Sequence, residues 1–203
     1  MMLELRGIRA GYGAHEADRH VVLHGVDLDA PTGSITAILG PNGVGKTTLL
    51  NVALGWIAPW SGTVSISGRL LADIPGPERG RLVSLVPQSD HIPFEYSILE
   101  YVLLGRAPYI APMALPTAKD VEIARSALDR VGISAMADHG ILETSAGERQ
   151  LVLLARAVAQ EPRVLLLDEP SAHLDLANKR RLVGLLRAQS ELGRAVIITV
   201  HEP

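Results

Sequence analysis

The run Gly40-Pro41-Asn42-Gly43-Val44-Gly45-Lys46-Thr47-Thr48 constrains this chain more than any other stretch. It follows the apolar segment Ile35 to Leu39 and opens a second apolar segment containing Leu49, Leu50, Val52 and Ala53. A strand, a glycine-rich turn and a helix in that order make a phosphate cradle. The glycines turn backbone N–H groups inward, and the helix N-terminus adds positive potential. Lys46 is placed to reach the β and γ phosphates of a nucleotide, and the Thr47 hydroxyl suits Mg2+. From average residue usage, a chance match in a chain of 203 residues is on the order of one in a hundred.

Three more segments are apolar on both faces: Leu82 to Val86, Val164 to Leu167 and Val196 to Val200. With Ile35 to Leu39, they predict buried parallel strands. Each ends at a glycine or a polar residue: Gly40, Gln88 (after Pro87), Asp168 and His201. Ligands of open α/β sheets lie beyond the carboxyl ends of the strands, so these residues are expected to converge. Leu3 and Leu5, then Val26, Leu28 and Ala30, then Val64 and Ile66 alternate with other residues, as half-exposed antiparallel strands do.

Between Ser89 and Glu161 the strand signals vanish. Ser97 and Glu100 make a capping box, and Thr117 with Asp120 resembles another helix start. Val121, Ala124, Leu128 and Val131 follow at helical spacing, with Gly132 as a C-terminal stop. Pro108, Pro112 and Pro116 break the chain between helices. The pattern predicts a helical lobe over about residues 89–161, inserted into an α/β core, within a single domain spanning 1–203.

The segment VLLLDEP places Asp168 where a buried strand emerges, able to hold Mg2+ directly or through water. Glu169 follows, able to polarise an attacking water as a general base. The remaining composition limits what else such a site serves. With 19 Lys and Arg against 22 Asp and Glu, the net charge is −3, which does not suggest a nucleic-acid-binding face. There are no cysteines, so disulfides and thiolate metal sites are excluded. Glu4 and Arg6 interrupt the N-terminus, which does not read as a signal peptide. No apolar run approaches the length of a bilayer span.

In this order, and over almost the whole chain, the motifs resemble the ATP-binding subunit of an ABC transporter. The resemblance implies a P-loop NTPase core with a mainly parallel sheet, an N-terminal antiparallel β subdomain and an inserted helical subdomain. It implies that Tyr12, in GYG, stacks on adenine, and that Gln88, in VPQ, senses the γ phosphate, contacts the metal and touches a transmembrane partner. SAHLD, Ser171 to Asp175, resembles the D-loop, and His201, in TVHEP, resembles the switch histidine.

The signature segment departs from the family pattern LSGGQ. Here it is Thr144-Ser145-Ala146-Gly147-Glu148: Ser145 and Gly147 match, while Thr144, Ala146 and Glu148 do not. In the family this segment closes over the ATP of the opposite subunit, so Ser145, Gly147 and Glu148 are expected at a nucleotide held by a second copy. Ser145 and Glu148 also read simply as a capping box. Ala146 costs little where the backbone is not at positive φ, and weakens closure where it is. Typical members continue past the switch histidine, whereas this sequence stops at Pro203, so uncovered sheet surface is a further expectation.

The resemblance implies an ATPase that energises transport through separate membrane subunits, lying peripherally at the cytoplasmic face of the membrane. Its implied partners are a second copy, transmembrane permease subunits and, indirectly, a substrate-binding protein, with no nucleic acid. SILEYVLLGRAPY, LARAVAQEPRVLLLDEPSAHLD and HEP resemble the importers of iron-siderophore, haem and cobalamin chelates. Zinc, manganese and molybdate importers are rivals. A soluble ABC-type ATPase acting on ribosomes or DNA, and a small-molecule kinase, are alternatives of other classes.

Overall fold

The computed structural model describes residues 1–13, 18, 20–90, 92–172 and 174–201. Among these residues there are two four-stranded sheets. The first is antiparallel and comes from the N-terminal third. Its strands are β1 (Leu3–Tyr12), β2 (His20–Ala30), β4 (Ser61–Ile66) and β5 (Arg69–Leu70), in the order β2-β1-β4-β5. Leu3 and Leu5 are fully buried, as their alternation predicts.

The second sheet contains β3 (Ile35–Leu39), β6 (Val83–Val86), β7 (Val164–Asp168) and β8 (Ala195–Val200) in the order β3-β8-β7-β6. All three pairings are parallel. The double-sided apolar pattern of β7 now has a cause. Val164 and Leu166 enter a core shared with the antiparallel sheet and with α1 (Lys46–Leu54). Leu165 and Leu167 enter a second core, shared with the helical segments.

Two expectations are corrected. The run Ile35 to Leu39 is not a buried strand: β3 lies at the end of its sheet, where Ile35 is 43% and Leu39 58% exposed. Composition predicted the strand and its parallel pairing. It could not give the place in the sheet order, because an apolar run reads alike at an edge and at the centre. Leu82 is also not a strand residue. It ends the short helix α2 (Gly76–Leu82), which the sequence reading did not anticipate.

No named strand lies between Ser89 and Glu161 among the described residues. The helices there are α3 (Ile98–Leu103), α4 (Ala118–Val131) and α5 (Ala146–Ala159), with α6 (Leu176–Glu191) following β7. The Ser97 and Thr117 capping boxes both form, and Gly132 closes α4 at φ +80°. Pro108 lies between α3 and α4, as expected, inside a 3-10 turn spanning Leu104–Tyr109.

Two polar knots fasten the parts of the helical region to one another. Buried Arg106 donates to the Ala159 carbonyl at 2.8 Å and pairs with Asp120 at 3.2 Å and Glu161 at 2.9 Å. In the other, the Tyr101 hydroxyl bonds to Asp90, and Arg156 pairs with the same carboxylate at 3.0 Å. Burial, then the bond to Asp90, pushes the Tyr101 phenol above its ordinary range. This second knot joins the loop after Gln88 to α3 and α5.

Candidate nucleotide site

The phosphate loop occupies the turn between β3 and α1. Gly45 caps α1 at φ +105°, a conformation that L side chains rarely adopt. A Cβ there would also lie 2.8 Å from Val22. Gly43, at φ +80°, faces open space. Pro41, Asn42 and Val44 are exposed around this turn, and Gly40 is partly so. The sequence therefore puts glycine where the turn needs it, and the first turn of α1 presents N–H groups to the solvent-facing cavity.

That cavity, of about 410 Å3, is lined by Tyr12, Asn42, Lys46, Thr47, Gln88 and Glu169, among others. The Lys46 ammonium is buried. It donates to the Gly40 carbonyl at 2.7 Å and the Pro41 carbonyl at 3.3 Å, and pairs with Glu169 Oε1 at 3.0 Å. Gln88 Nε2 donates to Glu169 Oε2 at 3.2 Å. Thr47 Oγ1 donates to Asp168 Oδ2 at 2.6 Å, across a sequence separation of 121 residues. The expected convergence of strand ends is thus realised for β3, β6 and β7.

The donor set fits Mg2+. Thr47 Oγ1 and Asp168 Oδ2 are hard oxygen atoms already beside each other. Among the described residues, no group of three or more His, Cys, Asp or Glu gathers as a cage. Mg2+ characteristically takes one or two protein oxygens, with waters and substrate phosphates completing the shell. Gln88 borders the same cavity.

Tyr12 also borders it, with its ring half exposed and its hydroxyl 3.2 Å from Thr48 Oγ1. His20 and Val22 complete that side, and the sequence reading missed both. They are brought in by the pairing of β1 with β2, which sets Tyr12 opposite His20. Thr199 was missed as well. It is 1% exposed, donates to Asp168 Oδ1 at 2.6 Å and accepts from the Glu169 N–H at 3.0 Å. A register pairing of Asp168 with Thr199 produces this contact; no local sequence signal marks it.

The remaining expected residues do not line the cavity. Ser145 caps α5: its hydroxyl accepts from the Glu148 N–H at 3.3 Å, and Glu148 Oε2 accepts from the Ser145 N–H at 2.9 Å. The Ser145 hydroxyl also donates to Glu148 Oε2 at 2.7 Å, and this bond, then that from the Ser145 N–H, holds the Glu148 carboxyl below its ordinary range. Ala146 and Gly147 occupy the first turn of α5, and neither has a positive φ. Thr144 bonds back to the Ile141 carbonyl at 2.6 Å. Asp175 caps α6 by accepting from the Asn178 N–H at 2.7 Å. His201 is exposed just beyond the end of β8. In SAHLD, His173 lies outside the described residues, as do Glu202 and Pro203 of TVHEP.

Known proteins resemble this chain over most of its length. A family model described as ABC transporter matches residues 23–172. A hemin import ATP-binding protein of Gloeobacter violaceus is 38% identical over 95% of this chain and 72% of its own length. A molybdate import ATP-binding protein of Haemophilus influenzae is also 38% identical, over 88% of this chain and 66% of its own. Among solved structures, a metal-chelate type ABC transporter in an inward-facing conformation is 33% identical, with TM-score 0.83, over 98% of this chain and 73% of that one. A dimeric bacterial ABC transporter cassette is 27% identical, with TM-score 0.85, over 99% of this chain and 88% of that one.

Proposed function

Because the chain belongs to the ABC transporter family of ATPase domains, we propose that two copies bind and hydrolyse ATP between them, and that this drives import of a metal chelate through separate membrane subunits. The observation that carries the two-copy reading is a division of the expected site. Lys46, Thr47, Gln88 and Glu169 line one cavity and Asp168 bonds to Thr47 there, while Ser145 and Glu148 cap each other outside its lining. In the dimeric arrangement, the α5 N-terminus of one copy, with Ser145 and Gly147, faces the γ phosphate held by the other. Its backbone N–H groups and helix dipole stabilise that charge.

The bonds around the cavity support the following residue roles. The pairing with Glu169 at 3.0 Å compensates the buried Lys46 ammonium. An entering nucleotide competes for Lys46 and releases Glu169. Tyr12 stacks on the adenine, with His20 and Val22 beside it. Thr47, Asp168 and Gln88 would hold Mg2+, which would neutralise charge on the phosphoryl group when bound. Glu169 takes a proton from the attacking water as the water oxygen bonds to the γ phosphorus. The bond to the β–γ bridging oxygen then breaks, releasing ADP and phosphate. His201 steadies the γ phosphate or the water, and Asp175 belongs to the segment that meets the second copy.

The membrane partner has a surface to meet. An apolar groove of about 450 Å3, lined by Tyr96, Leu103, Leu104, Ala107 and Ile110, lies along α3. Phe94, 63% exposed, stands beside it on the loop that begins at Gln88. No helix among the described residues is long and apolar enough to cross a membrane. The groove supports peripheral attachment at the cytoplasmic face as part of this proposal, with a substrate-binding protein on the other side.

The experiment for the two-copy reading is specific ATPase activity against chain concentration. Activity per chain should rise and then saturate as dimers form; a constant value contradicts the shared site. For the cargo, vesicles carrying the chain with its membrane subunits should take up an iron chelate or haem. Molybdate remains the second reading, because the molybdate relative reaches the same 38% identity, over 88% of this chain against 95% for the hemin one. Uptake of molybdate in the same vesicles would reassign the cargo.

A further inference from the structure

The two acidic residues at the end of β7 are neighbours in sequence but have different backbone requirements. Asp168 is the last strand residue and is buried. Glu169 turns the chain at φ +46°, in the left-handed region that a non-glycine residue adopts only when its surroundings impose it. The following Pro170 narrows the options further, since a residue before proline is disfavoured in the right-handed helical region.

What imposes the turn is on β8. Thr199 is paired in register with Asp168 and is almost fully buried. Its hydroxyl accepts the Glu169 N–H at 3.0 Å, one residue past the end of β7. The same hydroxyl gives its proton to Asp168 Oδ1 at 2.6 Å. The other carboxylate oxygen, Oδ2, is thereby left to Thr47 at 2.6 Å. A hydroxyl has one proton to give and lone pairs to accept with, so one group serves both neighbours. A valine of the same shape could serve neither.

We propose that Thr199 is a positioning residue for ATP hydrolysis: its hydroxyl fixes the rotation of the Asp168 carboxylate toward Thr47 and holds the left-handed turn that aims Glu169 at the nucleotide. The inference rests on the roles given above to Asp168 and Glu169. It predicts that losing the hydroxyl affects metal-dependent binding and the chemical step, while leaving metal-free nucleotide binding alone. Displacing a reacting group by a fraction of an ångström to an ångström costs on the order of tenfold to a hundredfold in rate.

The test uses the full chain with Thr199→Val, Thr199→Ser and Thr199→Cys. Steady-state ATP hydrolysis gives kcat and KM, and equilibrium binding of a fluorescent ATP analogue is titrated with Mg2+. For Thr199→Val, kcat should fall by about tenfold or more with KM within about twofold, and half-maximal Mg2+ enhancement of binding should need several-fold more Mg2+. Thr199→Ser should restore both to within about threefold of the parent chain. If Thr199→Val fails to fold, serine against cysteine decides, because a thiol of nearly the same size is a weak donor and acceptor. Thr199→Cys should then be impaired and Thr199→Ser not. Thr199→Val matching the parent in kcat and Mg2+ dependence, or serine as impaired as valine or cysteine, overturns the inference. A parent chain that binds no nucleotide would instead sink the ATPase reading itself.

Discussion

The phosphate cradle and the α5 cap are both helix N-termini, yet they are built in opposite ways. The cradle is closed by contacts between residues far apart in sequence: Thr47 with Asp168, Gln88 with Glu169, and Asp168 with Thr199. Its lysine is buried and its carboxylates are already paired. The cap at Ser145 is satisfied within four consecutive residues and is open to solvent. The cradle can form only when the sheet forms, whereas the cap needs only its own helix. A site assembled from one of each is complete in its tertiary half and unfinished in its local half, which is the condition a second copy relieves.

Breaking the cradle should have the largest effect. Lys46→Ala removes the charge that meets the phosphates and leaves Glu169 without its cationic partner. ATP affinity, measured by equilibrium titration, should fall on the order of a hundredfold. Glu169→Gln should leave binding intact and lower kcat by about 10^2–10^4-fold, the range for a general base, as read in single-turnover hydrolysis.

Breaking the cap should do less to the fold and nothing to ATP binding by one copy. Ser145→Ala removes the acceptor for the Glu148 N–H and should cost about 1 kcal/mol of stability in thermal unfolding. ATPase activity should fall more than that loss explains, because the same residue faces the second nucleotide. Ala146→Gly sharpens the contrast. The Ala146 backbone is helical and not at positive φ, so glycine there should change ATPase activity by less than about twofold. A large gain would show that closure needs a backbone shape the isolated chain does not adopt.

The smallest effect concerns pH. The Ser145 hydroxyl and N–H hold the Glu148 carboxyl below its ordinary range. Its folded value is depressed, so its contribution to stability is present above the unfolded value, about 4.3, and is lost as pH falls through the folded value. The parent chain should exceed Glu148→Gln slightly in thermal stability at neutral pH, with the difference closing below about pH 4. An unchanged difference in acid would show that Glu148 acts through something other than its charge.

The same contrast explains how much was legible in the sequence. Features written in consecutive residues were read correctly: the turn from Gly40 to Thr48, the capping boxes at Ser97, Thr117 and Ser145, and the Gly132 stop. The buried character of β7 and β8 was also readable, because both faces of each strand meet a core. The exposed edge position of β3 was not, since strand order is set by pairing with β8 and leaves no trace in Ile35 to Leu39. His20, Val22 and Thr199 were missed for the same reason. Each reaches the site through a register across strands, and histidine, valine or threonine in a strand carries no spacing that announces it.

The central claim, that one copy supplies the cradle and another the cap, is tested most directly by the molar mass of Glu169→Gln in solution, by light scattering with and without MgATP. Slowing hydrolysis should trap the closed pair, so the mass should be that of one chain, 21.7 kDa, without nucleotide and close to twice that with MgATP. Adding Ser145→Arg should then abolish the shift. A Glu169→Gln chain that binds MgATP at full affinity yet keeps the mass of one copy at every concentration would contradict a nucleotide held between two copies.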